Sequence, residues 1–206
     1  MLKFNQYITE ASKEGHGLHV FDVDDTLFHT TAKVNVMHGP KKVAALSNSE
    51  YNTHKLEPGH RYDYSEFNSS DKFDSESTPM PKMLNKLKAI HGNVKKTHGS
   101  KVIINTARAD FDNKNKFLDT FRKHGVDIDD IHVHRAGNRK EPGSVAERKA
   151  NVVRDQLKSG KFKRATLYDD SKENLNHFLK LKHEHPDVTF KAYHVQHNGS
   201  VVRHRE

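Results

Sequence analysis

Two carboxylates two residues apart, Asp22 and Asp24, close the short apolar run Leu18-His19-Val20-Phe21, and Asp25 and Thr26 follow directly. The run reads as a buried strand, and the acids stand where it stops. On an extended chain residues i and i+2 share one side, so both carboxylates can face one point. Carboxylates so crowded repel, and they are tolerated together with a cation or with shared protons. An acidic turn after a strand is the plainer reading of two acids alone, but the chain supplies partners for them. A second apolar run ends in Asn105-Thr106-Ala107-Arg108, and a third ends in Asp169-Asp170, with Asn174 beyond it either on a helix surface or placed to position Asp170 by a hydrogen bond. Lys149 falls in the first turns of the helix that leads into that third run. Hard oxygen ligands of this kind hold Mg²⁺, while a hydroxyl, helix-start amides and a lysine hold phosphate oxygens. Arg148, Arg154 and Lys140 are alternative cations for the same task, and Arg108 stands either at the substrate or on the surface.

The elements that must position these groups follow from periodicity. Apolar runs at 18–22, 101–105, 130–134, 165–169 and 188–195 read as strands. Between them, Met83, Leu84, Leu87 and Ile90 recur at helical spacing, as do Phe117, Leu118 and Phe121. Ala146, Ala150, Val153 and Leu157 form a third stripe, with Ser144 as its N-cap, and Leu175, Phe178 and Leu179 form a fourth. A further helix is expected near residues 3–11. Strand alternating with helix predicts parallel strands joined by crossovers, hence a doubly wound, three-layer Rossmann-like α/β fold around a central parallel sheet. Such sheets bind ligands at the carboxyl ends of their strands, near the switch in strand order. The acids and Thr106 fall there.

Residues 29–79 break the pattern. Segments 31–36 and 42–46 flank His38-Gly39-Pro40 as a hairpin, and a polar stretch carrying Tyr51, Tyr62, Tyr64, Phe67 and Phe73 follows. A loop of this length inside a domain is functional or disordered. It leaves the first strand beside the acids, so it is placed to fold over them as a small cap or flap. The expected organisation is one domain, with a core at 13–28 and 80–206 and the insertion at 29–79.

Composition narrows the setting. At 206 residues, with 33% hydrophobic and 30% charged, the chain can bury one substantial core and carries much polar surface. It has no cysteine, which excludes disulfides and thiolate metal sites. No run is long enough for a membrane span, and residues 1–12 lack the apolar core of a signal peptide, so a cytoplasmic protein is expected. The net charge of +8 is concentrated: residues 81–101 carry six lysines and no acid, and residues 135–164 carry ten Lys/Arg against Glu141, Glu147 and Asp155. Such segments suit a polyanionic substrate or nucleic acid, or are solvated helix faces. Seventeen histidines show no spacing typical of metal ligands beyond the pair His132 and His134.

The motifs in their order carry a resemblance. Asp22-Val23-Asp24-Asp25-Thr26 after an apolar strand resembles the first motif of the haloacid-dehalogenase-like (HAD) superfamily, and Val102-Ile103-Ile104-Asn105-Thr106-Ala107-Arg108 resembles the second. Lys149 is placed like the third, and Tyr168-Asp169-Asp170-Ser171-Lys172-Glu173-Asn174 resembles the fourth, so that the likeness covers about residues 17–195. Residues 107–138 and the insertion with Tyr51 and Phe67 further resemble HAD proteins of tailed bacteriophages and some bacteria. The resemblance implies Asp22 as nucleophile and Asp24 as acid and base. It implies Mg²⁺ held by Asp22, the main-chain carbonyl of Asp24 and Asp170, with Asp169 a ligand through water or in the second layer. Thr106, Ala107, Arg108 and Lys149 would hold the phosphoryl group, and Val23 would offer only its N–H. An acid two residues after the nucleophile favours phosphatases and phosphotransferases over dehalogenases. The expected activity is Mg²⁺-dependent hydrolysis of a phosphomonoester, either a phosphorylated small molecule, a nucleotide or a nucleic-acid phosphate end, in the host cytoplasm if phage-encoded. A phosphotransferase uses the same residues. A non-catalytic nucleic-acid-binding module on this fold would usually have lost a motif, and this chain keeps all four.

Overall fold

A computed structural model describes residues 16–51, 53–97 and 99–205. The helix expected near 3–11 and the start of the core at 13 lie outside the described residues. Strand β1 (His16–Phe21) runs into the acids, and a two-residue strand β2 (Phe28–His29) opens the insertion. Inside the insertion come β3 (Val34–His38), β4 (Lys41–Leu46), the short helix α1 (Asn48–Tyr51), β5 (His60–Asp63) and α2 (Ser70–Glu76), before β6 (Thr78–Pro79) closes it. The rest alternates: α3 (Pro81–Lys96), β7 (Lys101–Thr106), α4 (Lys114–Lys123), β8 (His132–Arg135), α5 (Val145–Leu157), β9 (Phe162–Asp169), α6 (Lys172–Lys180), β10 (Thr189–Val195) and β11 (Val201–His204).

The main sheet has the order β11-β10-β9-β1-β7-β8 and is parallel except for the hairpin strand β11. β1 lies between β7 and β9, with Val20 opposite Ile103 and Leu167 and Phe21 opposite Ile104 and Tyr168. With neighbours on both edges and helices on both faces, β1 buries Leu18, Val20 and Phe21 completely, with His19 half-buried among them. On one face Leu18, Val20, Ile103 and Leu167 pack against Val152, Val153, Leu175 and Phe178 of α5 and α6. On the other, Phe21, Val102 and Ile104 meet Met83 and Leu87 of α3, Phe117 and Phe121 of α4, and Phe73 of α2. The result is the three-layer α/β/α arrangement expected from the sequence. Ser144 caps α5 in a full capping box, its side chain accepting from Glu147 N while Glu147 returns a bond to Ser144 N.

The chain moves from β1 to β7 on one side and returns to β9 on the other, so strand order switches beside β1. Asp22 and the pair Asp169-Asp170 therefore emerge at the switch point, where open α/β sheets hold their ligands. The insertion is more structured than its polar sequence suggests. β3 pairs with β4 and β5 in an antiparallel sheet, and β2 pairs with β6 at its base. Its small core is Ala32, Val34 and Phe67, with Leu46, Tyr51 and Tyr62 packed against it. Helix α2 leans instead on α4, where Phe73 is 1% exposed and Thr120 Oγ1 donates to Asp74 Oδ1 at 2.9 Å.

Candidate active site

At the end of β1 the chain turns sharply: Val23 O accepts from Leu27 N (2.9 Å) and Phe28 N (3.1 Å). Asp25 sits in this turn at φ 54°, a left-handed conformation that Asp tolerates better than most residues. The turn leaves Asp22 aimed at the switch point and Asp24 one step above it. Lys149 Nζ, from α5, donates to Asp22 Oδ1 at 2.7 Å and to Asp169 Oδ2 at 2.8 Å. Asn105 Nδ2 donates to Lys149 O (2.9 Å) and so ties that turn of α5 to the end of β7. Asp169 Oδ1 accepts from Ser171 N and Asn174 Nδ2, both at 2.9 Å. Asn174 thus positions Asp169, not Asp170 as its place in the sequence suggested. Among the described residues the Asp170 carboxylate carries no such bond, while its main-chain oxygen faces His194 Nε2 at 2.8 Å.

Among the described residues, Asp22, Asp169 and Asp170 are the one group of three or more acids or histidines whose ligand atoms could hold a metal, all lying within 4.8 Å of one another. The His132 and His134 rings lie 4.2 Å apart, tilted at 56°, and among the described residues no third ligand joins them. Burial pushes the Asp22 carboxyl up to about 7, against the pull of Lys149, and the Asp169 and Asp24 charges push it further the same way. Asp170 is raised well above the usual range by burial and then by Asp169 and Asp22. Burial works against the Lys149 ammonium too, but Asp169 and Asp22 outweigh it and hold its proton more firmly than usual. Three carboxylates sharing one ammonium leave a deficit of positive charge, and their oxygens are the donors a hard divalent cation takes. The residues fit Mg²⁺.

Asp24 has a different partner. Arg108 reaches it with Nη2 to Oδ1 at 2.7 Å and Nε to Oδ2 at 3.0 Å, a forked pair with Arg108 2% exposed. The same guanidinium donates through Nη1 to Phe67 O (2.7 Å) and lies 4.6 Å from the Phe73 ring centroid. Arg108 was expected to grip substrate or lie on the surface; it is buried, and its donors are committed to Asp24, Phe67 and Thr30. Thr106 is fully buried at the end of β7, its Oγ1 accepting from Arg108 N at 3.1 Å, which leaves its hydroxyl proton to donate. Asp25 adds a second link to the insertion through Asn48 Nδ2 (2.7 Å).

These groups open into a cleft of about 470 Å³. Asp22, Asp24, Ala107, Arg108, Lys149 and Asp170 line its floor, and Asn48, Tyr51, Tyr64 and Phe67 of the insertion form one wall. Gly137 lines it as well, where a Cβ would lie 2.9 Å from Ala109 N, so only glycine lets the segment after β8 approach the segment after β7. Residue-type reasoning named the floor residues, whereas Thr106 and Asp169, named with them, are fully buried and do not line the cleft. It missed the Arg108–Asp24 pair, for which the only signal was position at the second motif, and Gly137, which no motif marked. None of the lysines of segment 81–101 lines this cleft. Lys95 is paired with Asp127 and Asp130, and Lys88 with His124 O.

Substituting Arg108 by Gln is expected to cost about 3 kcal/mol or more of stability, because it strands a buried carboxylate and leaves Phe67 O poorly paired. Denaturant melts of the two proteins measure this. A loss below about 1 kcal/mol would mean that the pair is a surface-like contact.

No family model matches the sequence, and no curated protein matches it. Among solved structures, the chain is similar to the HAD domain of effector protein Lem4 from Legionella pneumophila, at 15% identity over 87% of this chain and 85% of that one, with a TM-score of 0.48. It is also similar to an inactive mutant of that domain, at 11% identity over the same shares, with a TM-score of 0.50. The second likeness shows the fold and nothing of the activity. No helix among the described residues is long and apolar enough to cross a membrane.

Proposed function

We propose that this chain, built on the fold of a HAD domain, is a Mg²⁺-dependent phosphomonoester hydrolase that works through a phosphorylated Asp22. The observation that supports it most is the meeting, at one switch point, of an acid from β1, a hydroxyl from β7, a lysine from α5 and an acidic pair from β9. Those elements bring together what phosphoryl transfer needs: a nucleophile, an acid, a cation for the anionic oxygens and a metal site.

In the first step an Asp22 oxygen attacks phosphorus and the bond to the ester oxygen breaks, with Asp24 giving that oxygen its proton. In the second, Asp24 takes a proton from a water that attacks the same phosphorus, and Asp22 leaves as a carboxylate. Arg108 fixes the orientation of Asp24 by the forked contact. Lys149 and the Thr106 hydroxyl would bind the non-bridging oxygens. Asp22, Asp170 and the main-chain carbonyl of Asp24 would hold Mg²⁺, with Asp169 behind them, and the ion would supply positive charge to offset the anionic oxygens gathered there. The substrate is a phosphorylated metabolite, a nucleotide or a nucleic-acid phosphate end, which makes nucleotidase activity one form of this reading. A chain without cysteine suits a reducing cytoplasm.

A panel of phosphorylated metabolites, nucleotides and end-phosphorylated oligonucleotides, assayed with and without Mg²⁺, tests the proposal. Phosphate release that depends on Mg²⁺ supports it, and binding without release from any member would point to a non-catalytic module. The metal has a second readout. A carboxyl whose folded pKa is raised loses stability as pH climbs from its unfolded value toward the folded one, for Asp22 from about 4 to about 7. A bound cation reverses that loss and displaces the protons. The gain in Tm from Mg²⁺ is therefore expected to be larger at pH 8 than at pH 5.5. An equal gain at both would separate the ion from these carboxylates.

A further inference from the structure

The wall of the cleft facing the insertion differs from its floor. Tyr64 is 42% exposed and lines the cleft beside Tyr51, the two hydroxyls bonded at 2.8 Å and the rings perpendicular at 5.8 Å. Val34 and Phe67 continue this apolar surface inward. Arg148, one residue before Lys149, lines the same cleft, and its charge acts on the Tyr64 phenol. Most arginines of that basic segment are spent on carboxylates: Arg135 on Asp110, Arg139 on Glu141 and Asp155, Arg154 on Glu184. Arg148 is not. Among the described residues it meets no carboxylate; Nη1 donates to Gly143 O at 3.1 Å, and Nε is buried without a hydrogen-bond partner. A guanidinium in a cleft with unused donors is suited to a planar anion, which it binds in a fork.

Resting on the reading of the floor as a phosphomonoesterase site, we infer that this wall is a leaving-group subsite for a nucleotide that carries a second phosphate. The Tyr64 ring, held by Tyr51, offers the base a face to stack on, and Arg148 takes the second phosphate while Lys149 and Thr106 hold the one to be cleaved. Glu173, also on the cleft, offers acceptor oxygens to sugar hydroxyls or a base amino group. Two sources share this chemistry, a nucleoside 3′,5′-bisphosphate and the phosphorylated end of an oligonucleotide.

The test compares kcat/KM in Mg²⁺ for acetyl phosphate, ribose 5-phosphate, a nucleoside 5′-monophosphate, a nucleoside 3′,5′-bisphosphate and a short 5′-phosphorylated oligonucleotide. Calorimetry of the same esters on the metal-loaded Asp22→Asn protein runs in parallel. Base stacking is expected to favour the monophosphate over ribose 5-phosphate by roughly tenfold or more, and the second phosphate to add about tenfold again. Arg148→Gln should erase the second gain and leave the first. Tyr64→Leu should erase the first gain, and Tyr64→Phe, which keeps the ring, should retain it. The bisphosphate ahead or the oligonucleotide ahead each supports the subsite and says which source it takes, and equal values support a subsite that takes both. If ribose 5-phosphate equals the nucleotide, or Arg148→Gln weakens monophosphate and bisphosphate equally, the inference is overturned. If no ester is turned over but calorimetry shows the same order of preference, the hydrolase reading fails and the subsite stands.

Discussion

Replacing Asp22 by Asn is expected to lower kcat by about four orders of magnitude or more on every phosphomonoester, as removal of a nucleophile commonly does. The amide keeps the size of the side chain but has no anionic oxygen to attack phosphorus. It also weakens the metal site, since Asp22 is one of three carboxylates gathered there. The fold should survive. Burial already disfavours the Asp22 charge, so a neutral side chain in its place costs little, and Lys149 keeps its bond to Asp169. Steady-state assays with an activated aryl phosphate and a poor alkyl leaving group, together with a melting curve, measure both parts. Loss confined to the alkyl ester would reassign Asp22 from nucleophile to acid, because only a poor leaving group needs protonation.

Substituting Lys149 by Met should have the largest effect on stability. The lysine is 4% exposed and is the ammonium bonded to both Asp22 and Asp169. Without it three clustered carboxylates face one another, and breaking a buried pair in this way costs about 3–5 kcal/mol. The cost depends on pH in a definite sense. Asp22 and Asp170 already hold their protons to higher pH than an unfolded chain does, and loss of the lysine raises both further. The unfolded chain releases those protons near pH 4, so stability falls as pH rises beyond that. The deficit of the variant should be smallest near pH 5, largest near pH 8, and partly offset by Mg²⁺ at pH 8. A deficit that does not change with pH would show that Lys149 acts through packing. Activity should fall with it, since the phosphoryl oxygens lose their cation.

How much of this was legible in the sequence follows from what each element is buried against. Leu18, Val20 and Phe21 of β1, Val102, Ile103 and Ile104 of β7, and Ala165 and Leu167 of β9 are apolar because both faces of the sheet are covered, and the groups at the strand ends are fixed by where each apolar run stops. Asp22, Thr106, Asp169 and Asp170 could be located for that reason. β5 could not: His60-Arg61-Tyr62-Asp63 forms a strand through β3 alone and covers its small core with one tyrosine. Helix α2 shows a single buried apolar side chain, Phe73, too little for a periodic signal. β11 was missing from the strands read in the sequence, although Asn198-Gly199 before it is a hairpin turn signal, with Gly199 at φ 74°. Its four residues carry too little pattern to be read without that turn.

Charge was the least legible property. The lysines of segment 81–101 suggested a polyanion site, yet Lys95 meets Asp127 and Asp130, which follow α4 more than thirty residues later. Arg108 and Asp24 stand 84 positions apart, and nothing in either neighbourhood marks them as partners. A run of like charges in a sequence does not show what the fold sets opposite it. The charges that matter here are Lys149, shared between two buried carboxylates, and Arg148, which meets none among the described residues.

The central claim is that Asp22 carries the phosphoryl group between substrate and water. Asp24→Asn is the variant in which to see it, because the nucleophile and its metal site remain while the base that activates water is gone. An activated aryl phosphate needs little help from an acid, so the first step should proceed and the second should stall. Rapid quench in acid, proteolysis and mass spectrometry of the peptide holding Asp22 then give the answer. The account expects one phosphoryl group on Asp22, formed in a burst that matches the enzyme concentration and requires Mg²⁺. Turnover without phosphate on Asp22, or with phosphate on another side chain, would contradict it.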